Sequence, residues 1–240
     1  MPKSRQNAQV ARPDRERPGR NNAASAGADI GARIRLAREQ QELSLRRFAA
    51  KLDISPSGLS QIETGRSRPS VGTLYAIVSE LGISLDDLFS PGRSTELGRV
   101  QARLSEAHDV SDREREPSIV QRAGDRKVIE LESGVTWERL NPPGERDVEF
   151  LEVTYDVGGA SRGTGTFVRH SGREYGLVLS GVLKVTVGFE DHELGPGDSI
   201  SFESSIPHRL ENVGKQPVNA VWFVIGRDAS DRRAHWAANE

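Results

Sequence analysis

The sequence predicts a multi-domain chain, all-α toward its amino end and all-β toward its carboxyl end, on three observations. Apolar residues recur at helical spacing behind helix-capping residues up to about Phe89. Short alternating apolar runs separated by Gly- and Pro-bearing turns begin at Ser118. Between the two lies a polar stretch, SPGRSTELG to EREP, with the composition of a linker. A length of 240 residues accommodates two domains. The expected boundaries are an arm over 1–28, a helical domain over 29–90, a linker over 91–117 with a helix between Leu97 and Ala107, a strand domain over 118–227 and a tail over 228–240.

Residues 1–28 hold Pro, Arg, Asn, Gly and Ala with almost no large apolar side chain, so they are expected to remain a disordered basic arm. Asp14 and Glu16 speak against an organelle transit peptide. Farther on, Ser44 is placed to cap one helix and Ser55 a second, with Pro56 pre-set at its first helical position. Leu45, Phe48, Ala49 and Leu52 share a face of the first helix, and Leu59 and Ile62 share a face of the second. The pair closes over a common core and leaves Ser57, Ser60, Gln61 and Thr64 outward, which is the plan of a helix-turn-helix.

Groove chemistry gives that outward face a use. Gln pairs with adenine, and Ser or Thr with several base edges, so Gln61 is the leading candidate reader. Arg66 and Arg68 follow the helix at once, and with Arg46, Arg47 and Lys51 they form a candidate phosphate clamp. Residues 1–70 carry 14 Lys and Arg against 7 acids, whereas residues 71–240 carry 19 against 28. A basic front and an acidic back suit a molecule that presents only its front to a polyanion. No apolar run nears the roughly 20 residues that span a bilayer, so no membrane partner is expected. The absence of cysteine excludes disulfides, thiolate catalysis and thiolate metal sites, and a cytoplasmic location is the simplest fit.

The run from Ser44 to Leu52, the string SQIETGRSRPS and the following LYAIVSELGISLDDLF resemble the repressor-type helix-turn-helix family of phage repressors and bacterial regulators. The resemblance runs from about Ile30 to Phe89 and implies a five-helix, lambda-repressor-like DNA-binding domain. It also implies a structural pair, Arg38 with Glu63, and a DNA surface comprising Arg46, Arg47, Ser55, Pro56, Ser57, Ser60, Gln61, Thr64, Arg66 and Arg68. Where the family usually has glycine in the turn between the helices, this chain has Asp53, a residue that tolerates a left-handed backbone better than most.

In the second half, strand-like runs at short, regular spacing predict a sandwich or small barrel. Its conspicuous cluster is His170, Glu174 and His208, within RHSGREYGLVLSG and LGPGDSISFESSIPHRLEN. These two strings resemble the two motifs of the cupin family, which implies a jelly-roll barrel opening onto a metal or small-molecule pocket. Cupin metal sites usually carry a further histidine at the place of Val168, so the four-ligand set is incomplete here. Two histidines and a carboxylate suit one divalent metal, Fe, Zn, Mn or Ni; without metal the same residues hydrogen-bond an organic ligand, and the residues leave both open. Tyr175, Phe202 and Trp222, with Arg169, Arg173 and Arg209, are candidate pocket lining, although strand alternation argues against several of them. His108, His192 and His235 have no partner motif. The GGASRGTG run at 158–165 precedes no helix and is expected to be a mobile loop over the barrel mouth rather than a phosphate cradle.

Together these resemblances imply a homodimeric, sequence-specific transcriptional regulator rather than an enzyme. Its helical domain binds a double-stranded DNA operator, and its barrel binds a metal or small-molecule effector and supplies the dimer surface. The alternative from another class is a mononuclear non-haem iron oxidoreductase using His170, Glu174 and His208, since the chain also resembles an epoxidase that joins the same two domain types.

Overall fold

In the computed structural model, residues 20–89, 119–144, 148–163 and 166–226 are described. The expected linker helix and the carboxyl tail lie outside them. Five helices come first: α1 (Arg20–Gln40), α2 (Leu45–Lys51), α3 (Pro56–Glu63), α4 (Val71–Leu81) and α5 (Leu85–Phe89). Helix α1 begins inside the segment expected to be an unfolded arm. An Ala-rich run has high helix propensity even without large apolar residues.

The short helices start where hydroxyls stand ready for them. The Oγ atoms of Ser44, Ser55 and Ser70 accept hydrogen bonds from the backbone N–H groups of Arg47, Gly58 and Thr73, each meeting a donor that the first helical turn leaves without a partner. Asp53 turns the chain between α2 and α3 with φ of 54°, the left-handed conformation expected at that place. Ile34, Phe48, Leu59, Leu74, Ile77 and Leu88 are fully buried and form one core shared by all five helices. Helices α1 and α3 meet at Gly31, where a Cβ would lie 2.3 Å from the carbonyl oxygen of Ile62. Only glycine permits that approach.

Nine strands follow among the described residues: β1 (Val128–Glu130), β2 (Val135–Arg139), β3 (Val148–Tyr155), β4 (Arg173–Ser180), β5 (Leu183–Val187), β6 (Glu190–Leu194), β7 (Ser199–Glu203), β8 (His208–Asn212) and β9 (Val218–Ile225). They form a six-stranded sheet in the order β1-β2-β3-β9-β4-β7 and a three-stranded sheet in the order β6-β5-β8, with antiparallel pairing throughout. The two sheets face each other as in a jelly roll, with Leu151, Val153, Val178, Leu183, Val185, Leu210, Ala220 and Val224 between them.

The opposite face of the large sheet is apolar as well. Phe150, Tyr175, Leu177, Val221, Phe223 and Ile225 stand out from it, partly or largely exposed, with the rings of Phe150 and Phe223 stacked at 4.3 Å.

Candidate functional site

Two surfaces carry the residues singled out in the sequence. On the helical side, Ser57, Gln61, Thr64, Arg66, Arg46 and Arg47 are exposed, and Ser60 is half-buried. Several of the hydroxyls already have local work. Ser55 Oγ holds the cap of α3 and lies 3.1 Å from Ser57 Oγ, and Thr64 Oγ1 donates to the carbonyl of Ser60 at 2.8 Å. Pro56 is exposed at the first helical position. Beneath this face Arg38 grips Glu63 through two parallel hydrogen bonds of 2.6 and 2.9 Å, both side chains being buried. Arg38 also donates to the carbonyl of Leu43 at 2.8 Å, so one guanidinium fastens the end of α3 to the entry of α2.

Two members of the expected cationic clamp point elsewhere. Arg68 pairs with Glu130 of β1 and Lys51 with Glu80 of α4, because acceptors from neighbouring elements reach them. Among the described residues, the part of the clamp without such partners is Arg46, Arg47 and Arg66.

On the barrel side, His170, Glu174 and His208 converge as expected. Glu174 Oε1 lies 2.9 Å from His170 Nε2 and 3.2 Å from His208 Nε2, and all three side chains are at most 5% exposed. Each element contributes by strand alternation: Glu174 is an inward residue of β4, His208 opens β8, and His170 precedes β4 in a segment held by its N–H to the carbonyl of Ser204. Val168, at the place of the missing fourth ligand, is buried and exchanges both backbone hydrogen bonds with His208.

The protons of the cluster follow from its partners. His170 Nδ1 is 2.9 Å from the carbonyl of Ser171, and His208 Nδ1 is 2.9 Å from the carbonyl of Ile206. A carbonyl only accepts, so both Nδ1 atoms carry hydrogen, and in a neutral ring each Nε2 presents a lone pair. Burial pushes the His208 imidazole below its ordinary value against the pull of Glu174, which favours that neutral form. Burial also acts to raise Glu174, but the facing histidines and the indole of Trp222 outweigh it and hold the carboxyl below its usual range. Two imidazole Nε2 atoms and an anionic carboxylate oxygen therefore converge on one point. His170 Nε2 and Glu174 Oε1 are buried without a well-formed hydrogen bond. The second carboxylate oxygen is settled, accepting from Trp222 Nε1 at 2.7 Å.

Of the candidate lining, Phe202 and Trp222 are inward and buried, with the Phe202 ring 5.0 Å from that of His208. Tyr175 is a correction. It is 41% exposed on the outer face of β4, where its ring lies 5.8 Å from the Arg173 guanidinium. Glu174 faces inward, so alternation turns Tyr175 outward. Nor does the described part of the 158–165 run lie loose over the mouth. Ser161 N donates to the carbonyl of Leu210 at 2.9 Å, and Ala160 bridges to Glu211 of β8.

Known families match both halves: a helix-turn-helix over residues 34–88 and a cupin domain over residues 151–224. The HTH-type transcriptional regulator PuuR of Escherichia coli (strain K12) is 29% identical over 188 residues, spanning 78% of this chain and 89% of that protein. The immunity repressor protein of Bacillus phage phi105 is 29% identical over 51% of this chain and 78% of its own. A solved structure, an HTH_3 family transcriptional regulator from Vibrio cholerae, shares the fold with a TM-score of 0.57 at 23% identity, covering 85% of this chain and 98% of the other. The chain belongs to the helix-turn-helix transcriptional regulators that carry a cupin domain.

The regulator's two domains are joined by contacts that neither motif announces. Asp86 of α5 and Arg139 of β2 form a buried ion pair, with Gly144 N donating to the second Asp86 oxygen at 3.0 Å and the Arg139 guanidinium 5.5 Å from the Phe89 ring. Gly72 N donates to the carbonyl of Ser161 at 3.4 Å, and Glu132 N to the carbonyl of Pro69 at 2.9 Å. Tyr75 of α4 places its ring 4.2 Å from that of His170 and donates its hydroxyl to Glu149 Oε2 at 3.1 Å. In sequence Tyr75 is one more apolar position in an amphipathic helix. Its partners lie far along the chain, so no local signal identifies it.

Among the described residues no helix is long and apolar enough to cross a membrane.

Proposed function

We propose that this regulator binds a specific DNA operator as a homodimer and that its cupin site, made by His170, Glu174 and His208, takes a single divalent metal ion that tunes operator binding. The observation that carries the metal reading is the convergence of two imidazole nitrogens and a carboxylate oxygen in one buried cluster. Both Nδ1–H groups are committed to carbonyls, which turns the two Nε2 atoms toward Glu174 Oε1, and within this buried cluster His170 Nε2 and Glu174 Oε1 lack a well-formed hydrogen bond. A cation shared by the three atoms satisfies them together. The separations of 2.9 and 3.2 Å from Glu174 Oε1 to the two imidazoles are those of neighbouring donors about 2.1 Å from a shared ion at near-right angles. Trp222 supplies the outer hydrogen bond that orients the carboxylate, as partners behind metal ligands commonly do. The ion would act as a Lewis-acidic centre for binding a small effector or as the effector itself.

The DNA reading is supported by the exposed Ser57 and Gln61 on a capped α3 flanked by Arg46, Arg47 and Arg66. Homodimer formation through the barrel is supported by the partly exposed apolar outer face of the large sheet. The relatives named above are regulators, which weighs against the oxidoreductase reading of the same three ligands.

The test has two arms. Elemental analysis of the purified protein is expected to find about one metal per chain, lost in His170→Ala and His208→Ala; metal content unchanged by both substitutions overturns the metal assignment. Selection from a random duplex pool is expected to enrich a two-fold symmetric sequence. A Gln61→Ala variant that weakens all duplexes equally overturns the reader assignment.

A further inference from the structure

The helical domain forms part of the wall of the candidate metal site. Tyr75 is 5% exposed, and its ring lies 4.2 Å from the His170 imidazole at an interplanar angle of 38°, with Trp137 at 5.3 Å on another side. Its hydroxyl donates to Glu149 of β3, so the ring is held at both ends of its reach. The first turn of α4 is tied to the other histidine as well. Gly72 N meets the carbonyl of Ser161, Ser161 N and Oγ pair with Leu210, and Leu210 stands two residues from His208 on the same strand. His170 thus touches α4 directly, and the strand bearing His208 is linked to it through Ser161. That helix shares a single core with α3, so displacement at its seat is a displacement of the reading helix.

We propose that Tyr75 is the coupling residue of this regulator: loading the His170–Glu174–His208 cluster with a divalent cation tightens the seat of α4 on the barrel and thereby changes affinity for DNA. This rests on the metal reading above. The physical reason lies in the two faces of one ring. Without a cation, the buried His170 Nε2 and Glu174 Oε1 lack a well-formed hydrogen bond. With Nε2 bound to a cation, the ring is fixed and drained of electron density, and the electron-rich phenol tilted against it gains attraction of the cation–π kind. A ligand shifts a conformational equilibrium only by its unequal affinity for the two states, and this ring contact exists only when α4 is seated.

The experiment uses the full chain stripped by chelator, to which Zn(II), Mn(II), Ni(II) or, without oxygen, Fe(II) is added alone. Metal uptake is scored by elemental analysis, separately from two further readouts: amide hydrogen exchange in α4 and affinity for a duplex selected by the protein. In the wild type, the ion that binds is expected to slow exchange in α4 and to change duplex affinity by about 5- to 150-fold, with the duplex changing metal affinity by the same factor. Tyr75→Leu, which fills the space without an aromatic face, is expected to take up metal and lose both responses. Tyr75→Phe, which keeps the ring, is expected to retain them. Uptake in the wild type with no change in exchange or duplex affinity overturns the coupling while leaving the metal site standing, as does a Tyr75→Leu protein that responds like the wild type. No uptake of any ion overturns the metal site and the coupling with it. The exchange readout in the wild type decides the matter even where Tyr75→Leu fails to fold.

Discussion

Single atoms decide the geometry around Glu174. The Trp222 ring crosses β4 directly over Gly176, its partner in the strand register, and a Cβ at that glycine would lie 2.0 Å from the ring. A Gly176→Ala change must push the indole aside, and with it the hydrogen bond to Glu174. The expected cost is about 1–3 kcal/mol of stability in urea denaturation, the usual penalty for overpacking, accompanied by a shift in tryptophan fluorescence. Trp222→Phe keeps most of the volume but removes the N–H. It is expected to weaken metal binding about 10- to 100-fold, as loss of an outer partner does, measurable by competition with a chelating dye. At this scale the sequence was legible for side chains placed by local periodicity. Glu174 inward and Tyr175 outward follow from one another by alternation, and the two cupin strings locate the histidines. The Gly176–Trp222 fit was not legible, because it depends on which residue of a strand far along the chain comes to lie opposite.

At the scale of elements, the caps and the Arg38–Glu63 pair hold the reading helix. Ser55→Ala is expected to destabilise the helical domain by about 1 kcal/mol. Arg38→Ala leaves the Glu63 carboxylate buried and unpaired and is expected to cost about 3–5 kcal/mol, read as a lowered thermal midpoint. Substitution on the exposed face has a different signature. Gln61→Ala is expected to lose about 1–3 kcal/mol of discrimination at one base position with general DNA affinity unchanged, whereas Arg66→Ala is expected to weaken every duplex and lower the salt slope by about one. Ser44, Ser55 and Asp53 announced the helix boundaries because capping and left-handed turns are settled within a few residues. The start of α1 was hidden for the opposite reason, since a run of small residues has no amphipathic signature to read.

Across the whole molecule, the ion pair between Asp86 and Arg139 is the buried electrostatic joint between the domains. Burial raises the Asp86 carboxyl and lowers the Arg139 guanidinium, each opposed by the other's charge, so desolvation is offset only in part. Removing one partner, as in Asp86→Ala, is expected to cost about 3–5 kcal/mol, while a double replacement by apolar residues of similar volume is expected to cost far less; calorimetry of both variants checks it. None of this joint was visible in the sequence, where each residue is an ordinary charge in its own domain. The outer sheet face gives a further expectation: Phe223→Glu, at the stack with Phe150, is expected to yield monomers in sedimentation while the fold persists.

The contact at Gly31 carries a last implication. With the backbone of α1 pressed against the final carbonyls of α3, the two helices are held against each other as one unit. On the proposed coupling, a signal from the barrel therefore moves the helices together, as a hand turns with the wrist, and a change of base preference on the exposed rim of α3 leaves the proposed switch intact.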